Sequence, residues 1–226
     1  KTIEPSAEYD ELGRRLGKLE FINIPVGTYD LKETKAPAKY LTPEVIKVTI
    51  KKDETTYVEV ENPAKPQTVK IKKTSENGVV EGVVLDIDCD ELGYHKTITL
   101  NSTGEMLLEL VPATYTVTEM YVPFMLNGVE VNGLEYIYEP QEAKTIVVEP
   151  YEGQDRNYTV QFNNTLRKGD LTIQKIADDN EVMGVKFNVT GTSMSGEVID
   201  ITGVTDTLSE DGKSAKVIIK DIPIGV

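Results

Sequence analysis

Apolar and polar residues alternate along short segments of the chain, and one of these patterns occurs three times. Its clearest copy follows Pro25 and Gly27, where Tyr29 and Leu31 are separated by a single polar residue. Successive side chains on a strand point to opposite faces, so the pattern predicts a strand with Tyr29, Leu31 and Glu33 on its core face. The proline and glycine before it predict a tight turn. Glu33 is then a carboxylate directed at a core, which is costly unless it has a specific role.

The second copy of this pattern runs from Leu110 to Glu119. Here Tyr115, Val117 and Glu119 share one face, with threonines between them on the other. A third copy reaches the same kind of turn at residues 223–225, without the strand that carries the glutamate. The chain therefore repeats one structural plan, and the repeat predicts an array of similar domains.

Further short alternating segments predict the other strands, and turn residues separate them. The predicted strands are Leu19–Ile24, Val45–Ile50, Tyr57–Asn62, Thr68–Lys73, Val83–Cys89, Thr97–Thr99, Leu107–Leu110, Val160–Asn164, Leu171–Lys175, Val185–Val189 and Val217–Ile222. Residues 1–18 are expected to form a loop with at most one helical turn. Asn127-Gly128 and Asn132-Gly133 are turn signals, so Val122–Tyr138 is expected to contain an added hairpin.

The order of these segments predicts an all-β protein built of tandem β-sandwiches of roughly 100 residues each. Residues 1–64 correspond to the C-terminal part of one domain, 65–166 to a complete domain and 167–226 to the N-terminal part of another. Two prolines in Pro63–Pro66 predict an extended linker between the first two. We therefore interpret the 226 residues as a section of a longer array.

The complete domain brings three reactive side chains to predicted core faces: Lys73, Glu119 and Asn164. Burial favours the neutral forms of an amine and a carboxyl group, leaving a nucleophilic lysine and a proton-donating glutamate. Such a glutamate can polarise the asparagine carboxamide, so the set predicts a Lys–Asn isopeptide bond formed with loss of ammonia. A register shift of one residue would nominate Lys72 instead of Lys73, and Asn163 competes with Asn164.

The flanking parts carry incomplete versions of the same set. Glu33 and Asn62 occupy the glutamate and asparagine positions in residues 1–64, whereas Lys175 occupies the lysine position in residues 167–226. The missing lysine of the first set is expected upstream of residue 1, and the missing glutamate and asparagine of the second downstream of residue 226, so neither end is expected to close a bond by itself.

These motifs resemble tandem Cna-B (SpaA-type) domains of Gram-positive surface adhesins and pilins. The matching segments are Tyr29–Glu33–Ala36-Pro37–Tyr40, Tyr115–Glu119, Val60-Glu-Asn62-Pro, Phe162-Asn-Asn164-Thr, and the lysines Lys73 and Lys175. The complete domain departs from the pattern because residues 120–124 replace the Ala-Pro loop. The resemblance implies an immunoglobulin-like, transthyretin-like sandwich and a self-formed isopeptide bond.

Composition narrows the possible functions. A net charge of −14 argues against nucleic-acid binding, which needs a basic surface. Cys89 is the only cysteine and is expected in a core, and His95 is the only histidine, so zinc or histidine-based chemistry lacks partners. Alternation predicts a solvated strand face for the acidic residues of 86–91 rather than a calcium site. No cofactor is expected, and no apolar run is long enough to span a membrane.

Together these features predict a stalk or shaft segment of an extracellular, wall-anchored adhesin or pilus-like protein, with neighbouring repeats as its partners. The cross-link would form once, so the protein is not expected to be an enzyme. The alternative is a module that binds host matrix or glycan through the 122–138 insertion. An exposed aromatic patch of Tyr121, Phe124, Tyr136 and Tyr138 would favour that alternative. A third class is an accessory domain of an enzyme whose catalytic domain lies elsewhere in a longer chain.

Overall fold

The computed structural model describes residue 17 and residues 19–225, and it divides the chain into two compact units. Unit 1 is Lys1–Ala64 and unit 2 is Lys65–Val226. Almost all regular structure in the described residues is β-strand, so the predicted all-β class is confirmed. The loop predicted for residues 1–18 lies outside the described residues, apart from Gly17.

Unit 1 contains one antiparallel pair in its described part. Strand β1 (Gly27–Leu31) pairs with β2 (Ile46–Ile50), and Tyr29 lies opposite Val48. The Tyr29 hydroxyl donates a hydrogen bond of 2.8 Å to the Pro25 carbonyl and so braces the turn before β1. The strand ends at Leu31, so Glu33 lies after it and is half-buried, and Tyr29 is exposed; the predicted core face of this strand is therefore wrong for these two residues.

Two strands predicted for unit 1 are absent from its described residues. Neither Leu19–Ile24 nor Tyr57–Asn62 forms a strand, and Phe21 (62% exposed) and Tyr57 (84% exposed) lie largely in solvent. Alternation marks a segment that suits a sheet, but a strand forms only where a neighbour accepts its backbone hydrogen bonds. The described part of unit 1 offers no such neighbour to these segments.

Unit 2 contains a complete sandwich in its first two thirds. Its elements are β3 (Gln67–Ser75), β4 (Val84–Cys89), a 3-10 turn (Asp90–Leu92), β5 (Tyr94–Thr99), β6 (Glu105–Leu110), β7 (Ala113–Tyr121), β8 (Pro123–Leu126), β9 (Val129–Asn132), α1 (Gly133–Tyr136), β10 (Lys144–Val148) and β11 (Tyr158–Asn164). One sheet has the order β10-β7-β4-β5 and the other β11-β3-β6. Strand β10 was not predicted from the sequence.

The core of the sandwich lies between these two sheets. Alternate residues of β3 and β11 are buried on one side and alternate residues of β4 and β7 on the other: Val69, Ile71, Val160 and Phe162 face Leu85, Ile87, Tyr115 and Val117. Cys89 is buried among them, as predicted. The sandwich prediction is therefore confirmed, and the alternation decided which residues fill it.

The first and last strands of this sandwich are neighbours and run parallel. Strand β11 pairs with β3 from Tyr158 opposite Val69 to Asn164 opposite Ser75. The other pairs within the two sheets are antiparallel. The entry and the exit of the sandwich thus lie in adjacent strands, connected along their length by backbone hydrogen bonds.

The predicted hairpin is present as β8 and β9, joined at Asn127 and Gly128. Both turn residues have positive φ, 51° and 81°, as the two-residue hairpin turn requires. Asn132, read from the sequence as a second turn signal, instead caps α1 and accepts a hydrogen bond of 3.2 Å from the Leu134 amide. An asparagine suits a helix N-cap as well as a turn, so its sequence alone left the two possibilities open.

The rest of unit 2 is a second, smaller set of strands. These are β12 (Lys168–Ile176), β13 (Lys186–Thr192), β14 (Val198–Val204), β15 (Thr207–Leu208) and β16 (Ser214–Pro223). One sheet has the order β12-β16-β15, and β13 pairs with β14. Lys175 lies opposite Ala215 near the end of β12. This places the strand that bears Lys175 at the edge of its sheet.

Candidate functional site

Lys73 and Asn164 lie on the same face of the β11-β3-β6 sheet. Lys73 is opposite Phe162 in the parallel pair, so Asn164 is two residues further along the neighbouring strand. Residues separated by two share a face, and both side chains point into the core. Lys73 is 2% exposed and Asn164 is fully buried. A long amine-bearing side chain and a carboxamide thus share one enclosed space.

Glu119 reaches the same space from β7 in the facing sheet. Its Oε1 lies 3.5 Å from the Lys73 Nζ, and its Oε2 accepts a hydrogen bond of 2.8 Å from the Asn164 Nδ2. The side chains of Lys73 and Glu119 are 0% and 1% exposed. One carboxyl group therefore contacts both the amine and the carboxamide in a dry environment.

Burial dominates the electrostatics of this pair. It lowers the pKa of Lys73, against the raising effect of Glu119. It raises the pKa of Glu119, against the lowering effects of Lys73 and of the Asn164 hydrogen bond. Desolvation penalises each charged form more than the partner rewards it. Both shifts favour a neutral amine beside a neutral carboxylic acid.

The hydrogen bonding of the site is incomplete among the residues that the structure describes. Glu119 Oε1 and Asn164 Oδ1 are buried without hydrogen-bond partners, while the Lys73 Nζ donates to the Thr74 carbonyl at 2.6 Å. Buried acceptors without donors are costly. A proton on Glu119 supplies a donor, and a half-turn of the Asn164 carboxamide presents its oxygen to that donor. The arrangement thus suits an acid that acts on the Asn164 carbonyl.

The backbone of Lys73 is held by Gly104, in the turn before β6. The Lys73 amide donates to the Gly104 carbonyl at 2.7 Å. Gly104 has φ +66°, and an added Cβ would lie 2.8 Å from the Lys73 carbonyl oxygen and 3.0 Å from the Val80 Cβ. Only glycine fits this close approach, which the sequence pattern did not single out.

We expect Gly104→Ala to destabilise unit 2 by about 3 kcal/mol, because the new methyl group meets backbone and the φ angle is unfavourable. Gly78→Ala is the matched control: its φ is +77° but a Cβ there meets nothing within 4 Å. The control is expected to cost only about 1 kcal/mol. Urea unfolding of both variants measures the difference, and equal losses would contradict the close approach at Lys73.

The structure distinguishes Lys73 from Lys72, and Asn164 from Asn163, by the face of the sheet on which each side chain lies. Lys72 is half-exposed and Asn163 is exposed, in contrast to their buried neighbours. The Asn163 Oδ1 accepts a hydrogen bond of 2.8 Å from the Thr74 hydroxyl on the outer face of the sheet. Neither alternative therefore reaches the space around Glu119.

The incomplete sets also occupy defined positions. Asn62 donates to the Glu33 carboxylate and, at 3.0 Å, to the Leu41 carbonyl, so unit 1 brings its glutamate and asparagine together. No lysine forms an ion pair with Glu33 within residues 19–64. Lys175 donates to the Ile176 carbonyl at 2.6 Å, the same local contact that Lys73 makes, and it has no carboxylate partner in the described part of unit 2.

The aromatic patch that would have favoured ligand binding is not formed. Tyr138 is fully buried, and its hydroxyl donates to Asn77 at 2.8 Å. Phe124 is half-buried against the core. Burial raises the pKa of Tyr138, against the lowering effects of hydrogen bonds to Asn77 and Ser75. Tyr138 is thus part of the sandwich core, which its position in an apparent insertion did not indicate.

The sequence predicted neither a metal site nor a membrane-spanning segment. Within residues 19–225, no cluster of histidine, cysteine or acidic residues is arranged to hold a metal ion. Asp88 pairs instead with His95 at 2.6 Å, and Asp86 accepts from Thr97 at 2.6 Å. No helix in the described part of the chain is long and apolar enough to cross a membrane.

Comparison with known proteins gives a family match for the first part of the chain. Residues 7–64 match the family model of the SpaA prealbumin-like fold domain. Prealbumin is another name for transthyretin, so the predicted resemblance to SpaA-type, transthyretin-like domains is confirmed. Comparison with curated proteins finds no match.

Three solved structures are similar to this chain, and two of them are pilins. The Bacillus anthracis TIE protein has a TM-score of 0.47 and 20% identity, covering 94% of this chain and 37% of that one. The shaft pilin SpaA of Lactobacillus rhamnosus GG has a TM-score of 0.34 and 15% identity, covering 71% and 69%. The full-length major pilin SpaD of Corynebacterium diphtheriae has a TM-score of 0.32 and 10% identity, covering 71% and 54%. This chain therefore spans 37% of the length of the first of these structures.

Proposed function

We propose that this chain is a stalk or shaft segment of a bacterial cell-surface adhesin or pilus-like protein, stabilised by a Lys73–Asn164 isopeptide bond. Residues 65–166 would form the complete domain, with parts of neighbouring repeats on either side. The observation that carries the proposal is the Glu119 carboxyl group, which contacts both the Lys73 amine and the Asn164 carboxamide in a buried site. The match to a SpaA-type domain supports the surface location.

The proposed reaction uses only these three side chains. The neutral Lys73 Nζ attacks the carboxamide carbon of Asn164, while Glu119 donates its proton to the amide oxygen. Glu119 then takes a proton from Nζ and passes it to Nδ2, which leaves as ammonia when the carbonyl re-forms. The hydroxyl proton of the intermediate returns to Glu119, so the acid is regenerated and one C–N bond replaces another.

The position of the bond suits a segment that carries tension. Force applied to the two ends of the sandwich enters through β3 and leaves through β11, which are adjacent and parallel. A bond from Lys73 to Asn164 would connect these strands near the exit, so residues 74–163 would lie outside the path of the force. Because an amide is indifferent to redox conditions, the bond would serve where disulfides cannot, in a chain with one cysteine.

We expect the intact mass of the purified chain to fall below the sequence mass by one ammonia. The sets at Glu33 and Asn62 and at Lys175 are incomplete among residues 19–225, so Asn62→Ala and Lys175→Ala are expected to keep the same deficit. High-resolution mass spectrometry under denaturing conditions measures it. A chain at its full sequence mass, in a sample whose circular dichroism shows it to be folded, would refute the proposed bond.

A further inference from the structure

The segment that leaves β11, residues 165–168, is held on both sides and is here called the exit segment. Its backbone pairs with the residues after α1: the Glu139 amide donates to Thr165 at 3.0 Å, and the Arg167 amide donates to Ile137 at 2.8 Å. Leu166 is buried in the core beside Tyr138. A flexible linker would instead leave these groups to water.

The Arg167 side chain adds three hydrogen bonds to backbone carbonyls in and after α1. Its Nε donates to the Tyr138 carbonyl at 2.6 Å, and its two terminal nitrogens donate to Glu135 at 3.1 Å and Leu134 at 3.2 Å. The Leu134 and Glu135 carbonyls belong to α1, whose last acceptors lack internal partners, and the Tyr138 carbonyl follows the helix. A guanidinium group suits them because it is always charged and presents several donors in one plane. We call residues 133–138, which supply these acceptors, the bracket.

Glu76 holds the exit segment from the opposite side. It lies in the turn after β3, where its Oε2 accepts from the Leu166 amide at 2.6 Å and its Oε1 from the Lys168 Nζ at 3.1 Å. These are charge-assisted bonds, which are stronger than neutral ones. The exit segment therefore contacts both the bracket and the turn that follows β3.

Residues further along the chain also contact the exit segment. The Ile224 amide donates to the Arg167 carbonyl at 3.1 Å, and the Met194 amide donates to Ile224 at 2.8 Å. Both residues pack against the sandwich core. Ser195 and Pro223 line one small cleft together with Ile137 and Arg167. Two segments of residues 168–225, at 194–195 and 223–224, thus lie against the exit segment and the bracket.

We propose that the bracket and Arg167 form a rigid joint, which fixes the orientation of residues 168–225 on the preceding sandwich. The 122–138 insertion then serves as the docking surface for the next part of the same chain rather than for an external ligand. This deepens the proposed stalk function and rests on it for its purpose, since stiff joints keep a stalk extended. The contacts themselves do not depend on the isopeptide bond.

The test is amide hydrogen exchange of the full chain, followed by NMR, for Arg167→Met. This variant keeps an unbranched apolar stem but loses the donors. The matched control is Arg156→Met, which removes an exposed arginine of the same unit whose side chain pairs with Glu152 on the surface. We expect the amides of Glu139, Arg167 and Ile224 to exchange at least about tenfold faster in Arg167→Met only, with β3 and β11 unchanged.

Two results would overturn the joint. One is equal exchange at the three amides in both variants, which would show that Arg167 does not order the junction. The other is faster exchange throughout β3 and β11, which would make Arg167 a residue of general stability. The intact mass of the same samples separates the two proposals: a missing ammonia deficit refutes the isopeptide bond and leaves the joint standing, whereas a deficit with an unresponsive junction does the reverse.

Discussion

Lys73→Met and Glu119→Gln are each expected to restore the full sequence mass by abolishing the loss of one ammonia. The first variant lacks the nucleophilic amine, and the second lacks the proton that must reach the Asn164 carboxamide. Both changes conserve volume in a buried site, so the fold is expected to persist. Mass spectrometry of the folded variants gives an all-or-none result, which makes this the largest effect that the structure predicts.

The chain supplies matched controls for this experiment. Lys72→Met and Asn163→Ala change the neighbouring residues on the outer face of the same two strands, and both are expected to retain the deficit. Tandem mass spectrometry should find the peptides of Lys73 and Asn164 joined. Loss of ammonia in Lys73→Met would contradict the assignment, since it would point to cyclisation of an asparagine without any lysine.

Loss of the bond is also expected to lower the stability of unit 2 by about 4 to 5 kcal/mol, through the entropy of the unfolded chain. The bond would close a loop from residue 73 to residue 164, and the chain-entropy estimate for a covalent loop of this size gives that value. For a domain of this length the midpoint of thermal unfolding is expected to fall by roughly 20 °C. Scanning calorimetry of Glu119→Gln and the wild-type chain measures the shift.

The comparison of two variants separates the cross-link from the cost of an unpaired buried amine. Glu119→Gln leaves Lys73 buried beside a neutral amide, whereas Lys73→Met leaves no amine at all. Similar losses in both indicate the missing bond. A loss confined to Glu119→Gln would indicate the amine instead, and wild-type stability in both would show that no cross-link constrains the unfolded chain.

The period-2 pattern determined much of the complete sandwich before any partner was known. It placed Lys73 and Glu119 on buried faces, because the direction of a side chain on a strand depends only on its parity. The same rule chose Asn164 over Asn163, since Asn164 continues the buried series of Val160 and Phe162. The burial of all three side chains could therefore be predicted from the alternation in one sequence.

The same pattern failed where strand formation depended on a neighbour. Tyr57–Asn62 and Tyr158–Asn164 have similar sequences, yet only the second forms a strand, because β3 lies beside it. The parity of Val58 and Val60 was compatible with a sheet, but parity cannot supply the backbone groups of a partner. Strand β10 was not predicted because its own alternation is weak. It forms because β7 lies beside it and pairs with its backbone.

The tertiary structure alone decided the roles of the 122–138 insertion and of the exit segment. Tyr138 and Arg167 look like surface residues in the sequence, yet one lies in the core and the other donates to three carbonyls. Their partners are backbone oxygens, which every residue carries and which no side-chain pattern marks. The sequence by itself thus determined on which faces Lys73, Glu119 and Asn164 lie, because the direction of a side chain on a strand is local. The parallel pairing of β3 and β11 and the joint after Asn164 depend on contacts between distant residues, so only the folded chain could define them.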